Sequence, residues 1–308
     1  MGERRSAQDE SVLQEREDSY INASEQQFLS EGIIDYDFRL DGRGPLDYRT
    51  IHISIGEVLS ASGSARVTLG ETCVLATVKT AIKTPSKSHP DFGFIEFSID
   101  SSPLTSHKHD EEEDESRSPQ EARSILQSVY QESGGVDRRK LCIVKGSKCW
   151  ALFFDLIIFE KGTSLLDAAS LAVKAALFDT KFANVTVVED ELDQFEVEFT
   201  DDPYDYWQMD ATSVPVVTSL HKIGPVFLVD VTKEEQVAAN ASVVIATNSK
   251  GTLFYQNTDW KGSQFGFELN LIDEAMETAC RAAAHVDSRL MSALISLPPP
   301  KSWKNTLL

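Results

Sequence analysis

At 308 residues, 41% of them hydrophobic and 25% charged, the chain is long enough to bury a full core in one large domain or two tightly packed halves. It has no run of about 18 apolar residues to span a bilayer, and its first residues, MGERRSAQDE, lack the apolar stretch of a signal peptide, so an intracellular setting is expected. The formal net charge of -20 excludes a protein that binds nucleic acid over its whole surface, because phosphates are repelled unless the contact is local or shared with partner chains.

The four cysteines, Cys73, Cys142, Cys149 and Cys280, have no CxxC spacing and sit in apolar stretches, so neither a disulfide nor a zinc site is expected. Met1-Gly2 followed by Ser6 fits an acylation pattern that is short enough to arise by chance, and one acyl chain anchors weakly.

Residues 1–30 read as a polar extension, although a sparse apolar pattern at Ile21, Phe28, Ile33 and Ile34, with Asn22 to Glu25 as a start signal, predicts a helix over 21–34. Residues 48–58 alternate, with Ile51, Ile53 and Ile55 on one face of a half-buried strand. Further strands are predicted over 64–69, 72–82 and 92–99, each rich in β-branched or aromatic residues and bounded by Gly, Pro or Asp. The run Asp110 to Glu115 cannot bury itself and reads as a solvated loop.

A helix follows over 119–132, with Ala122, Ile125, Leu126 and Val129 on one face and Gly134-Gly135 as its stop. Residues 150–159 are almost continuously apolar, the signature of a mid-sheet strand covered on both faces. A strong helix is predicted over 164–177, then strands over 184–188, 195–199, 214–220, 226–231 and 242–247. Apolar residues at Leu271, Ala275, Ala279, Ala282, Val286 and Leu290 mark a last helix over 268–294, and Pro298-Pro-Pro300 breaks it before a tail over 297–308.

Two groups of strands with few helices indicate a mixed α/β or α+β chain of two similar lobes, here 31–200 and 201–296. No GxGxxG, Walker loop or HExxH occurs.

Three stretches carry a resemblance. They are Arg39-Leu-Asp-Gly-Arg43 leading into Tyr48-Arg49; Gly63 to Gly70 followed by Thr72 to Val78; and Leu165-Leu-Asp-Ala-Ala to Leu177, with Asp201-Asp-Pro-Tyr-Asp205 and Leu228-Val-Asp-Val-Thr-Lys-Glu-Glu235 downstream. In that order they resemble the RNase PH family, and within it the non-catalytic ring subunits of the eukaryotic RNA exosome. The resemblance implies an RNase PH fold of two mixed-sheet lobes with packed helices. It also implies a six-membered ring of RNase PH-type neighbours with RNA-binding cap subunits, and RNA threading through its channel toward an associated exoribonuclease. The setting it implies is nucleus and nucleolus, also cytoplasm, with no membrane, no cofactor and a role in rRNA processing and RNA degradation.

Active members of the family phosphorolyse RNA, so they must hold phosphate and offset charge at phosphorus. The resemblance places their Gly-Ser/Thr-Arg turn at Gly162-Thr163-Ser164-Leu165, where leucine replaces arginine and cannot pair with an anion. Ser164 and Asp167 fit a capping box that would put a carboxylate at the anion position, or are simply good helix starters, and both readings disfavour phosphate. The family's carboxylate pair, ahead of a Val-rich strand, falls at Ser213 and near Trp207 when matched on Val214 to Val217. Asp205 and Asp210 lie close enough to restore one acid, which leaves an active phosphate-dependent 3′-to-5′ exoribonuclease as the alternative. No catalytic and no metal-binding residue is therefore assigned.

In neighbours of active subunits, arginines reach RNA from the helix after the acidic loop, where only Arg123 stands here. Lys79, Lys83, Lys87 and Lys108 flank the region as candidate phosphate contacts, against the plainer reading of solvated lysines. The Arg39 to Arg43 motif reads as an ion-paired glycine turn that locks the fold.

Overall fold

A computed structural model describes residues 22–36, 38–102, 118–189, 195–200, 202, 204–260 and 269–297. Lys108, the acidic run 110–115 and the tail from 298 lie outside the described residues. The chain runs α1 (Ala23–Tyr36), β1 (Ile51–Ile55), β2 (Gly63–Leu69), β3 (Thr72–Lys83), β4 (Phe94–Ser101), then α2 (Pro119–Gln127), continued by a π-turn over Ser128–Glu132. After a 3-10 turn (Arg138–Leu141) come β5 (Cys142–Val144), β6 (Lys148–Glu160) and α3 (Leu165–Asp179). The rest is β7 (Lys181–Ala183), β8 (Val185–Glu189), β9 (Phe195–Phe199), β10 (Tyr206–Gln208), β11 (Val216–Ile223), β12 (Val226–Val229), α4 (Lys233–Ala238), β13 (Ala241–Thr247), β14 (Leu253–Trp260) and α5 (Leu269–Ser296).

One sheet has the order β1-β2-β3-β6-β4, with β5 paired to β6, and a second has the order β12-β11-β13-β14. All pairs are antiparallel except β4 on β6. Helix α3 is the filling between them, packed on β2 and β3 on one side and on β11 on the other. Fourteen of its fifteen residues are buried, as a helix apolar on every side requires. One continuous core, from Val67, Phe97 and Phe154 through Ala172 to Val217 and Leu290, spans both sheets. The mixed α/β class expected from the strand grouping is the one observed.

Local chemistry explains where elements stop. The strand expected from Tyr48 begins only at Ile51, because the Arg49 N–H is drawn to the carboxylate of Asp230 at 2.7 Å instead of entering a ladder. Ser118 caps α2 by accepting the Glu121 N–H, and the chain breaks at Gly134, whose φ of 77° is a left-handed conformation. Strand β6 does lie mid-sheet, but only one face is sealed. Leu152, Phe154, Leu156 and Ile158 are buried, while Phe153, Asp155 and the exposed Ile157 line the other side. The expectation of a strand covered on both faces is corrected there, since an apolar run alone does not reveal which face lacks a neighbour. Helix α1 packs on α4, and Ile33 joins Ile223, Leu228 and Val231 in a small separate core.

Close approach of α3 to β2 depends on Gly63, where a Cβ would lie 2.6 Å from the Thr180 Cα and 2.7 Å from the Ala176 carbonyl oxygen. We expect Gly63→Ala to destabilise the chain by about 1–3 kcal/mol, read as a lower urea midpoint at unchanged m-value. An unchanged midpoint would show that α3 tolerates displacement from the sheet.

Candidate active site

The first turn of α3 is where the two halves of the fold exchange polar contacts. Gly162 leads into it pressed on Thr72, whose Oγ1 would lie 2.6 Å from an added Cβ. Thr163 Oγ1 donates to the Val231 carbonyl at 2.5 Å, and Ser164 Oγ donates to Asp230 Oδ1 at 2.5 Å. Asp230 is buried in a left-handed conformation with φ 45°. It also accepts from the Arg49 backbone, from Arg49 Nε at 2.9 Å and Nη2 at 2.6 Å, and from Arg43 Nη1 at 3.2 Å. Burial alone would raise its pKa, but the hydrogen bonds from Arg49 and Ser164 outweigh that and hold it below the ordinary range.

The Arg39 to Arg43 motif is the lock expected of it. Arg39 is buried and forms a two-pronged pair with Glu235, at 2.9 and 2.7 Å, while its other donors take the carbonyls of Val229 and Asp230. Glu235 also completes a capping box with Thr232 at the start of α4. Arg43 bridges Asp41 and Asp230 around Gly42, whose φ is 76°.

The capping box expected at Ser164 and Asp167 is not formed. Ser164 makes no side-chain cap bond because its hydroxyl is committed to the charged Asp230, a stronger acceptor than any partner in its own helix. Asp167 turns away toward the second sheet, accepting the Ser219 N–H at 2.9 Å and the Tyr48 hydroxyl at 3.1 Å. Burial, reinforced by the charge on Asp230, pushes its pKa up to about 7. A guanidinium does stand at this turn, since Arg49 Nη2 lies 3.3 Å from both Thr163 Oγ1 and Ser164 Oγ. It comes from a residue 115 positions away, so no local motif could reveal it, and Asp230 already neutralises it.

Beside the turn is a pocket of about 50 Å³, with Thr163, Leu165 and Leu166 on one side and Ser219, His221, Gln236, Ser242 and Asp259 among the residues opposite. His221, Ser242 and Asp259 form one cross-strand row over β11, β13 and β14. The carboxylate positions matched on Val214 to Val217 are not here. Val214 accepts a hydrogen bond from Lys174 Nζ at 2.7 Å, roughly 15 Å along α3 from Ser164, and Trp207 stacks on Phe182. Asp210 accepts from the Thr212 N–H and hydroxyl, and Asp205 from Asn184. The pocket-lining residues ahead of Val243-Val244 are Gln236, Ala239, Ala241 and Ser242, and none of them is an acid. Two Val-rich strands fit the same spacing, and only the fold distinguishes them.

The candidate cations do not gather at this pocket. Lys79 pairs with Asp155 at 3.0 Å, Lys83 lies over the Phe94 and Phe153 rings, and Lys87 and Arg123 are exposed elsewhere.

Residues 47–183 match the model of the 3′ exoribonuclease family, domain 1, also known as RNase PH. Exosome complex component Rrp42 of Sulfurisphaera tokodaii is 31% identical over 271 residues, covering 87% of this chain and 90% of that protein. The chain belongs to the RNase PH family. Within the family its motifs are most like those of ribosomal RNA-processing protein 42, and it is similar to a series of exosome components called Rrp42. A Dictyostelium discoideum relative whose name includes "exonuclease RRP42" is 26% identical over 306 residues, covering 84% of this chain and 93% of that protein. Among solved structures, an Archaeoglobus fulgidus exosome with RNA bound to the active site superposes with a TM-score of 0.66 at 26% identity, covering 86% of this chain and 96% of that one. An archaeal exosome core gives 0.64 at 25% over the same shares.

Asp167 sets a pH dependence with a definite sign. Its native carboxyl holds a proton up to about pH 7, whereas the unfolded one releases it near 3.8, so the group stabilises the fold below about pH 4 and that contribution is lost as pH rises to 7. The loss amounts to about 4 kcal/mol at most. Asp167→Asn should therefore melt above the wild type at pH 8, with the difference vanishing toward pH 4, in thermal unfolding of the purified chain. Parallel pH profiles would refute the buried, protonated carboxyl.

Proposed function

We propose that the chain is a non-catalytic structural subunit of the RNA exosome core ring, supporting 3′-to-5′ RNA processing and degradation by an associated nuclease. The supporting observation is the side-chain chemistry at the first turn of α3. Phosphorolysis needs a bound anion, a cation to offset its charge and acids near the leaving oxygen. Leu165, Leu166, Gln236 and Ser242 supply none of these, and Arg49 is neutralised by Asp230. Asp259 is a lone carboxylate at the rim, which repels phosphate.

The partners this reading names are RNase PH-type ring neighbours and RNA-binding caps, in nucleus, nucleolus and cytoplasm. Among the described residues, the edge strand β14 has one neighbour in its sheet, leaving backbone donors and acceptors on its other side for an adjoining subunit, whereas Gln127 of α2 already takes the Phe97 N–H and the Ile95 carbonyl on the outer side of β4.

The test is a phosphorolysis assay on single-stranded RNA with magnesium and inorganic phosphate, using the chain alone and reconstituted with ring partners. We expect stable co-assembly and no nucleoside diphosphate release attributable to this chain. Release abolished by Asp259→Asn would make it an enzyme, and a stable monomer that refuses all RNase PH-type partners would end the ring assignment.

A further inference from the structure

Two segments far apart in sequence meet at one end of the first sheet and reverse the charge of the molecule there. Residues 83–94 and 137–148 together hold seven Lys or Arg against the two acids Asp91 and Asp137, in a chain of net charge -20. Backbone bonds fix the junction. The Gly93 N–H donates to the Arg138 carbonyl at 2.9 Å, and the Gly146 N–H to the Pro90 carbonyl at 2.8 Å. Lys83 and Lys148 join them from adjoining strands, since Lys83 is paired with Cys149 in the β3–β6 ladder.

Aromatic rings organise these cations. Gly93 is buried against Leu141 and Trp150, where a Cβ would come within 2.3 Å of Leu141 Cβ. The flanking Phe92 and Phe94 are both more exposed than Gly93. The guanidinium of Arg138 stands 4.9 Å over the Phe92 ring and that of Arg139 stands 5.7 Å over it, with His89 stacked on the same ring. Lys83 Nζ sits 4.4 Å over Phe153 and 5.3 Å over Phe94. A guanidinium held by its face keeps its in-plane N–H donors for an outside acceptor, and that fork matches phosphate oxygens. Among the described residues, no carboxylate stands within ion-pair distance of Lys83, Lys87, Arg138, Arg139 or Lys140, and Asp210 is the acid that feels the charge of Lys140. Burial alone acts on Arg138, holding its pKa below the ordinary value with no acid to compensate.

The other end of β4 is far from this junction. Ser101 there pairs with Ile158, while Phe94 pairs with Ala151, a separation of about 23 Å along the strand. The cationic end is therefore distinct from the far end of β4, and from the pocket beside α3, since Cys73 pairs with Glu160 at one end of the β3–β6 ladder and Lys83 with Cys149 at the other.

We propose that this basic, aromatic end of the first sheet binds single-stranded RNA through its phosphates. The proposal takes its ligand from the exosome reading, and it assigns Lys83 and Lys87 to a surface whose main donors, Arg138, Arg139 and Lys140, lie in a separate segment. Lys79, neutralised by Asp155, is not part of it.

Fluorescence anisotropy with labelled oligouridylate, a duplex RNA and polyglutamate, on the purified full-length chain across a salt series, tests it. Arg138→Gln/Arg139→Gln/Lys140→Gln should weaken oligouridylate binding about tenfold or more at low salt and flatten the log–log salt slope by about 2. Lys83→Gln/Lys87→Gln, which spares the 3-10 turn, should weaken it in the same direction, and Lys250→Gln should not. Unchanged affinity in both multiple variants, no binding by the unsubstituted chain, or binding of polyglutamate without RNA would each overturn it. Co-assembly with ring partners is measured on the same variants. Assembly failing while RNA affinity persists refutes the ring role alone, and intact assembly with unaltered RNA affinity refutes this surface alone.

Discussion

Helix α3 is enclosed by two sheets, and water cannot reach the polar groups that such a position buries. Each must find its partner inside the fold, because an unpaired buried donor or acceptor costs about 1–3 kcal/mol. Asp179 accepts the Ser64 N–H from β2, Ser170 meets both the N–H and the carbonyl of Val217 on β11, and Lys174 reaches Val214 and Asp287 on α5. These bonds are directional where the surrounding aliphatic contacts are not. They fix the rotation and axial position of the helix between its neighbours, and so where its first turn points.

That first turn concentrates positive potential from free N–H groups. In this chain it is answered from within. Asp230 brings a tethered carboxylate to Ser164, and Arg49 and Arg43 close around that carboxylate. The left-handed backbone at Asp230 is a conformation that costs a non-glycine residue about 1 kcal/mol or more. It is held because Arg39 and Arg43 both take the Asp230 carbonyl while Arg49 and Ser164 take the side chain. An external anion competing for Ser164 or Arg49 would have to displace an internal one present at effectively unlimited concentration. Leu165 and Leu166, beside it, offer no compensating donor from their side chains. The rigidity of this turn and the internal pairing of its donors therefore have one cause.

Much of this was legible before the fold was known, and the failures have physical reasons. Periodicity located most long elements, because a buried face repeats at 2 or 3.6 residues wherever one side is covered. It missed β14, whose Gln256, Asn257, Thr258 and Asp259 suit an edge with little to bury, and it missed α4, which is only six residues long. The Arg39 to Arg43 turn was readable as a lock because glycine between an acid and two arginines has few other uses. Its partners, Asp230 and Glu235, lie about 190 residues away. The capping box at Ser164 failed because spacing describes only what a helix can do for itself, and a charged acceptor from elsewhere won the hydroxyl. The carboxylate positions failed for a related reason: Val214 to Val217 and Val243 to Ile245 present the same pattern, and which one faces the turn is decided by the order β12-β11-β13-β14.

The uneven charge of the molecule bears on how an acidic chain can work beside RNA. At physiological ionic strength a surface charge is felt over roughly 8–10 Å, so a net charge of -20 is not a uniform field but a set of local ones. The two ends of β4, at Phe94 and Ser101, are more than two such lengths apart. A phosphate approaching the Arg138 to Lys140 turn meets the seven-cation cluster first. On the proposed reading, acidity elsewhere would act as a guide, repelling a polyanion from surfaces that carry no cationic cluster and leaving it the place where segments 83–94 and 137–148 meet. Such a division would let one chain of net negative charge offer a confined path to a polyanion.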